Sequence, residues 1–146
     1  MQFLRGVHDS TIIDDAYNAA PLSMKLAIET AKGIKAKRKI AIIGDMCELG
    51  IFSPIAHKEI GALTAKVFDV IVAVGPEAKY YVEAAIKAKV AKKNIIYSEN
   101  VDDVLAQLPA LVRTGDLVLV KASHTMHLDK AVAALRIAGP EDLVRR

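Results

Sequence analysis

Two adjacent carboxylates follow a short apolar run near the start of the chain. Asp14 and Asp15 come directly after this run, and an aromatic ring and an amide follow at Tyr17 and Asn18. Neighbouring carboxylates repel each other, and burying either one is costly unless it is paired. Asp and Asn also begin turns, but a single Asp would be enough for a turn. The stretch therefore indicates a polar binding loop, with a turn as the structural alternative.

A cation followed by hydroxyl and imidazole groups comes after another apolar run, near the end of the chain. Lys121 directly follows that run, and Ser123, His124, Thr125 and His127 come within the next six residues. A lysine, hydroxyls and the free N–H groups of a helix start together suit a carboxylate or phosphate ligand. The structural alternative is that Ser123 or Thr125 caps the helix. Spacing establishes no Ser–His–Asp arrangement, and we predict no catalytic residue in this chain.

The stretch IIGDMCELG places a glycine and two carboxylates behind a third apolar run. Gly44 permits a tight turn, and Asp45 and Glu48 lie at the predicted strand exit. The stretch does not match the GxGxxG dinucleotide pattern, and the sequence contains no GxxxxGK(S/T) phosphate loop. A polar turn between a strand and a helix is the alternative interpretation.

A cysteine and a histidine occur in isolation. Cys47 is the only cysteine, so it cannot form an internal disulfide, and we expect a reducing, cytoplasmic compartment. No metal-ligand spacing surrounds Cys47, which we interpret as structurally incidental. His57 stands alone early in a predicted helix, which indicates a packed or surface residue rather than a ligand. We predict no metal site.

Short β-branched runs alternate with stretches of helical periodicity along the chain. This alternation predicts a mostly parallel sheet with helices on both faces. The predicted strands lie at 11–13, 39–43, 70–74, 94–97 and 117–120. The predicted helices lie at 23–34, 55–68, 79–88, 101–112 and 128–138.

The apolar runs at 40–43, 70–74 and 117–120 are typical of strands that are buried on both faces. The fold class is therefore α/β, with a Rossmann-like sheet of five to six strands, and residues 1–146 suit one domain. Ligands of such sheets bind outside the carboxyl ends of the strands, so the polar loops described above belong to one expected site. We expect the polar tail after Gly139 to fray.

Composition excludes several classes of function. The net charge is +3, from 20 basic and 17 acidic residues, which is too balanced to indicate nucleic-acid binding. Aromatic residues make up 5% and tryptophan is absent, so no base-stacking surface is suggested. No apolar run reaches the length of about 18 residues that a membrane span needs, and the start of the chain does not have the pattern of a signal peptide.

Four stretches in this order resemble the C-terminal domain of the Mur ligases, most closely the MurF type, which adds D-alanyl-D-alanine to a UDP-N-acetylmuramoyl tripeptide. They are IIDDAYNAAPLSM at 12–24, IAIIGDMCELG at 40–50, the pair His57 and Gly61 in HKEIG, and LVKASHTMHLDKAV at 119–132. The family pattern reads approximately DDxYNANPxSM, GDMxELG, HxxxG and VKGSRxxxME. The first two motifs distinguish the MurF type, and the resemblance runs nearly end to end.

The resemblance implies residue roles that the spacing alone does not. The residues implied at the ribose or adenine side of ATP are Asp15, Tyr17 and Asn18. The residues implied at the D-alanyl-D-alanine side are Asp45, Lys121, Ser123 and His124. Within these groups, Lys121 would lie near the dipeptide carboxylate, while the neighbouring Asp14 would hold the first loop.

The resemblance also implies a reaction that needs more than this chain. In the family, ATP phosphorylates the carboxylate of the UDP-N-acetylmuramoyl peptide, and the amine of the dipeptide attacks the acyl phosphate. The phosphate loop, the Mg²⁺ ligands and the UDP-binding domain belong to upstream domains. ATP and Mg²⁺ are therefore the implied cofactors of a longer enzyme, and the two peptides and the upstream domains are the implied partners. The chain alone would fold as a monomer without ligase activity.

The chain departs from the family pattern at three places. Ala20 replaces the second Asn, residues 122–124 read Ala-Ser-His where the family has Gly-Ser-Arg, and residues 128–129 read Leu-Asp where it has Met-Glu. A histidine replaces an arginine only in part, because it lacks the guanidinium fork. Two rival hypotheses remain open. One is the C-terminal domain of another Mur-like amide ligase, such as a folylpolyglutamate or cyanophycin synthetase, and the other is a stand-alone α/β binding module.

Overall fold

A computed structural model describes residues 1–139 of the chain. Its strands are β1 (Gln2–Gly6), β2 (Ser10–Asp15), β3 (Arg38–Gly44), β4 (Val70–Val74), β5 (Ile95–Ser98) and β6 (Asp116–Lys121). They form one sheet in the order β1-β2-β6-β3-β4-β5. β1 pairs antiparallel with β2, and the other pairings are parallel. The predicted α/β class with a mostly parallel sheet of five to six strands is confirmed, and the sheet has six.

Helices connect the parallel strands. They are α1 (Pro21–Lys32), α2 (Ser53–Val67), α3 (Lys79–Lys87), α4 (Asp102–Leu105), α5 (Leu108–Leu111) and α6 (Asp129–Leu135). α1, α2 and α3 match the predicted helices at 23–34, 55–68 and 79–88 closely. α1 begins as its sequence predicts, with Pro21 in its first turn and the Ser23 hydroxyl accepting the N–H of Ala20 at 2.9 Å.

The sheet separates two apolar cores, because successive strand residues point to opposite faces. Ile40 and Ile42 of β3 pack in the core that contains the buried residues of α4, α5 and α6. Ala41 and Ile43 of the same strand pack in the core that contains those of α1, α2 and α3. The prediction that helices cover both faces of the sheet is therefore confirmed.

The predicted helix at 101–112 is wrong as a single helix. The structure has two short helices there, α4 and α5, separated by residues 106–107. Pro109 explains the break, because proline has no N–H to donate to the carbonyl of Leu105, and it lies in the first turn of α5, where that N–H is not needed. The last predicted helix, at 128–138, is also too long, since α6 ends at Leu135 and Arg136 forms a bridge with Gly6.

The first strand was not predicted individually, because residues 2–6 contain no β-branched residue. β1 forms through its pairing with β2, which follows it after a short 3-10 turn at Val7–Asp9. Within residues 1–139, no helix is long and apolar enough to cross a membrane. The tail that was expected to fray lies outside the described residues, and the single-domain assignment of 1–146 stays a prediction.

Strand order decides which loops meet. β6 lies between β2 and β3, and Lys121 at its end is in register with Asp15 of β2 and with Ile43 of β3. The carboxyl ends of β2, β6, β3 and β4 are therefore neighbours along one edge of the sheet. The polar loops that follow these four strands gather at this edge.

Candidate functional site

Four loops form the candidate site at the carboxyl edge of the sheet. We name them in chain order the first loop (residues 14–20), the second loop (44–50), the third loop (75–78) and the fourth loop (121–128). Each begins at the carboxyl end of one of the strands β2, β3, β4 and β6. Their convergence is what the rule for open α/β sheets predicts.

The end of β6 carries a buried cation that is paired with the first loop. The Lys121 side chain is 2% exposed, and its Nζ donates to Asp15 Oδ2 at 2.7 Å and to the main-chain oxygen of Asn18 at 2.8 Å. The other Asp15 oxygen, Oδ1, lies 3.7 Å from the amino group of Met1, and this carboxylate is 20% exposed. The structure thus joins two predicted site residues, Lys121 and Asp15, directly to each other.

The other carboxylate of the pair has a local role. Asp14 Oδ1 accepts the N–H of Ala16 at 3.2 Å and so closes a turn inside the first loop. This contact agrees with the expectation that Asp14 holds the loop. The two adjacent carboxylates therefore differ in use, because one shapes its own loop and the other pairs with the lysine of β6.

The exposed rim of the site consists of rings from the first and fourth loops. Tyr17 is 77% exposed, and its ring centroid lies 5.1 Å from that of His124, with the planes tilted by 48°. His127, in left-handed conformation at φ 57°, has its ring 6.4 Å from that of His124. Asn18 is also exposed. These side chains face solvent at the point where a ligand could stack or hydrogen-bond.

Asp45, in the second loop, is buried and fastens the third loop. Its Oδ1 accepts the N–H of Ala78 at 2.8 Å, and its Oδ2 accepts the N–H of Glu77 at 3.2 Å. Burial raises the pKa of the Asp45 carboxyl, and these two backbone N–H groups oppose that rise. Gly75 is required beside it, because its φ is +122° and an added Cβ would lie 2.6 Å from the carboxyl carbon of Asp45.

Ser123 joins the fourth loop to the second. Its Oγ accepts the N–H of Cys47 at 2.9 Å, and its own N–H donates to the main-chain oxygen of Asp45 at 3.1 Å. The alternative that Ser123 caps a helix with its side chain is wrong, since its hydroxyl makes no such bond. Cys47 is exposed, with its Sγ 3.4 Å from the Thr125 hydroxyl.

Two buried rings from the helices hold the backbone on either side of Asp45. His57 Nε2 accepts the N–H of Met46 at 3.1 Å, so the ring proton is on Nδ1, which lies 2.8 Å from the main-chain oxygen of Ser53. The Tyr81 hydroxyl donates to the main-chain oxygen of Gly44 at 2.9 Å. Burial raises the pKa of Tyr81, which therefore keeps its proton.

Of the two predicted alternatives for His57, a packed or a surface residue, the structure shows the packed one, since His57 is fully buried with its ring 4.9 Å from that of Tyr81. The role of Tyr81 was missed by the sequence analysis. Its position in α3 indicates only that it faces the core. No sequence signal shows that its hydroxyl reaches a carbonyl 37 residues away.

A cavity of 240 Å³ opens beside the second loop. Its acidic lining residues are Asp45, Glu48 and Glu77, and the rest of its wall comes from residues 46–50 and Ser53. Its volume suits a small polar group, and its carboxylates favour a group with a positive charge or N–H donors. No group of three or more His, Cys, Asp or Glu side chains in residues 1–139 is arranged to hold a metal ion.

A cluster of polar loops at the carboxyl edge of a parallel sheet is the place where open α/β domains bind their ligands. Residues 1–124 match the family model described as Mur ligase, glutamate ligase domain. The chain belongs to this Mur ligase family, which confirms the resemblance that the loop motifs indicate.

Relatives in sequence carry the same enzyme name in distant bacteria. UDP-N-acetylmuramoyl-tripeptide–D-alanyl-D-alanine ligase of Rickettsia prowazekii is 35% identical over 130 residues, which cover 86% of this chain and 27% of that protein. The protein of that name from Bacillus subtilis is 35% identical over 127 residues, covering 86% of this chain and 28% of the relative. The chain therefore spans well under a third of the length of these relatives.

Solved structures of MurF proteins share the fold. A crystal structure of MurF from Acinetobacter baumannii superposes with a TM-score of 0.77 at 27% identity, covering 99% of this chain and 30% of that one. MurF ligase from Thermotoga maritima, in complex with ADP, superposes with a TM-score of 0.70 at 29% identity, covering 86% and 27%. The ligand contacts predicted for individual residues of this chain stay predictions.

Proposed function

We propose that the chain is the C-terminal domain, residues 1–146, of an ATP-dependent ligase that adds D-alanyl-D-alanine to a UDP-N-acetylmuramoyl tripeptide during peptidoglycan synthesis. One observation carries the proposal. The loops that contain the MurF-type motifs, which are separate in the sequence, meet at one edge of the sheet through direct hydrogen bonds. The enzyme name of the relatives at 35% identity supports the same reaction.

The first loop is the proposed nucleotide side of the site. Asp15 keeps a partly exposed carboxylate that suits a ribose hydroxyl, and Tyr17 and Asn18 offer an exposed ring and amide to the base or sugar. ADP in the Thermotoga maritima relative supports a nucleotide ligand for this family. The proposed cofactors are ATP and Mg²⁺. ATP supplies the phosphoryl group for the carboxylate of the UDP-N-acetylmuramoyl peptide, and the proposed Mg²⁺ ligands lie outside this chain.

The second and fourth loops are the proposed D-alanyl-D-alanine side. His124 is exposed at the rim, and the buried Asp45 and Ser123 fix the main chain that lines the adjacent cavity. Lys121 lies between the two sides with its Nζ bonded to the first loop. The amine of the dipeptide attacks an acyl phosphate, and phosphate leaves. The chain contributes to this step by orienting the dipeptide and excluding water when it closes on the rest of the enzyme.

The proposal also covers the partners of the enzyme, its compartment and its oligomeric state. The partners are the UDP-N-acetylmuramoyl peptide, D-alanyl-D-alanine, ATP and upstream domains of the same enzyme, which we propose to be a cytoplasmic monomer. Nucleic acid and membrane are not among the proposed partners. A phosphate-loop motif in the coding sequence upstream of Met1 would support the proposal, and an independent start at Met1 would favour a stand-alone binding module.

A chimeric ligase tests the proposal directly. The upstream part of the Bacillus subtilis relative would be joined to residues 1–146 in place of its own C-terminal part. We expect ATP-dependent ligation of D-alanyl-D-alanine to the UDP-tripeptide by the chimera and none by residues 1–146 alone. The unmodified relative is the positive control.

The choice of amine donor separates the rival hypotheses. Ligation of glutamate or a single amino acid in preference to D-alanyl-D-alanine would favour another Mur-like amide ligase. A folded chimera that hydrolyses ATP but ligates no amine would contradict the proposed function. Ligation by residues 1–146 alone would contradict the assignment of the chain as one domain of a longer enzyme.

A further inference from the structure

Lys121 is the one buried lysine among residues 1–139, and its pairing is specific. An ammonium group is costly to remove from water unless partners replace its hydration. Here the carboxylate of Asp15 and the main-chain oxygen of Asn18 do so, at 2.7 and 2.8 Å. Both partners belong to the first loop, while the lysine extends from the last residue of β6.

The geometry leaves this lysine little capacity for a ligand. An ammonium has three donors, and two of them are directed at the first loop. The side chain is 2% exposed, so burial shields the Nζ and its third donor from a ligand at the rim. Of the two nitrogen side chains at 121 and 124, His124 is the exposed one and Lys121 is buried.

A second contact joins the same two loops. The ring of Tyr17 lies 5.1 Å from the ring of His124, on the solvent side of the lysine bonds. This contact is between exposed side chains and is therefore weak by itself. The buried pair Lys121–Asp15 joins the same two loops beneath these rings.

We propose that Lys121 is a positioning residue that holds the first loop against the fourth and does not contact the ligand itself. The proposal rests on the proposed function only for the identity of the ligand on each side. Because the first loop is the proposed nucleotide side, loss of Lys121 weakens the use of ATP more than the use of D-alanyl-D-alanine. Direct contact with the dipeptide carboxylate would have the opposite effect.

The first experiment uses residues 1–146 and needs no ligand. Lys121→Met removes the charge and keeps the length of the side chain. Lys130→Met is the matched control, because Lys130 pairs with Asp102 at 3.1 Å on an exposed surface. In NMR spectra, we expect Lys121→Met to shift and broaden the backbone amide signals of Tyr17 and Asn18. We also expect hydrogen exchange at these two amides to become about tenfold faster or more. Lys130→Met should leave both amides unchanged.

The second experiment measures kinetics in the chimeric ligase. We expect Lys121→Met to raise KM for ATP about tenfold, the effect of losing a hydrogen bond to a charged group, with a smaller change in KM for D-alanyl-D-alanine. If Lys121→Met does not fold, Lys121→Gln replaces it, because the Gln amide keeps a hydrogen-bond donor. We expect Lys121→Gln to change both KM values less than Lys121→Met.

The outcomes separate the two proposals. Unchanged amides of Tyr17 and Asn18 in the folded Lys121 variant would overturn the positioning role, as would a rise confined to the KM for D-alanyl-D-alanine. An inactive chimera that retains Lys121 would count against the proposed function. The amide measurements on residues 1–146 would still decide whether Lys121 holds the first loop.

Discussion

The second loop and the rim made by the first and fourth loops use polar residues in opposite ways. Around the second loop, the polar groups of Asp45, Ser123 and His57 are buried and bonded to backbone. At the rim, Tyr17 and His124 are exposed, with their rings 5.1 Å apart and the ring of His127 6.4 Å from that of His124. Both regions derive from sequence motifs of one family.

The difference shows which residues fix geometry and which can bind. A buried polar atom that already has its partners contributes rigidity, because breaking its bonds leaves an unsatisfied group at a cost of about 1–3 kcal/mol. Throughout residues 1–139, every buried side-chain nitrogen or oxygen has a hydrogen-bond partner. Exposed side chains retain their hydrogen-bonding and stacking capacity for a ligand. Substitutions in the second loop should therefore affect stability, and those at the rim should affect activity.

The largest effect on stability is expected from Gly75→Ala. Its φ of +122° disfavours any side chain, and the new Cβ would meet the Asp45 carboxyl and the Met126 methyl. We expect a loss of about 2–4 kcal/mol in the free energy of unfolding, measured by urea denaturation. Gly50→Ala is the control, since Gly50 has a φ of +55° but open space around it, and should cost about 1 kcal/mol. Equal losses in the two variants would show that Asp45 and Gly75 are not closely packed.

His57→Phe should have the next largest effect. The variant keeps a ring against Tyr81 but leaves the N–H of Met46 without its acceptor. We expect a loss of about 2 kcal/mol in unfolding free energy. His57→Gln is the matched variant, because its amide oxygen can replace Nε2 as acceptor, and it should recover part of the loss. Equal stability of the Phe variant and the native chain would contradict the positioning of the second loop by this ring.

Asp45→Asn should change the pH dependence of stability. Burial raises the pKa of Asp45 above its usual 3.8, so the folded chain holds this proton more tightly than the unfolded chain. The stabilisation from Asp45 is therefore complete below pH 3.8 and is lost as the pH rises through the folded pKa. We expect the unfolding free energy of the native chain minus that of Asp45→Asn to fall with rising pH.

That difference is measured from urea denaturation over a series of acid to neutral buffers. Glu99→Gln is the control, because Glu99 is exposed beyond the end of β5, and the corresponding difference should vary little. A difference for Asp45 that rises with pH would mean that the two backbone N–H groups outweigh burial and that the carboxylate form is favoured.

The smallest effect on stability is expected from Tyr17→Ala, which removes an exposed ring. We expect a change below about 0.5 kcal/mol in unfolding free energy. In the chimeric ligase, the same variant should raise KM for ATP several-fold, whereas Tyr17→Phe, which keeps the ring, should raise it less. A large loss of stability with unchanged kinetics would remove the distinction between the rim and the second loop.

Local patterns were enough for most of the fold. The β-branched runs identify five of the six strands, and helical periodicity identifies α1, α2 and α3. In these elements the spacing of apolar residues along the sequence matches the faces that are buried. Two failures have local physical causes. Pro109 divides the helix at 101–112, and β1 is stable only through its pairing with β2.

The sequence indicated which residues lie at the candidate site but not which contacts they make there. The sequence indicated Asp15, Asp45, Lys121 and Ser123 because they lie where predicted strands end, which is where open α/β sheets bind ligands, and because the family motifs include them. It did not show that Lys121 pairs with Asp15, or that the Ser123 hydroxyl accepts the Cys47 N–H, across separations of 106 and 76 residues. These pairings depend on strand order, which places β6 between β2 and β3.

The sequence by itself therefore determined the α/β class, the family and the loops that form the site, because these depend on residue type and short spacing. Only the tertiary structure decided which polar side chains are buried and bonded to backbone and which face solvent. The physical reason is that a hydrogen bond satisfies a buried group only when the partner is within about 3 Å. For residues distant in the sequence, that proximity is set by the order of the strands and not by any local pattern.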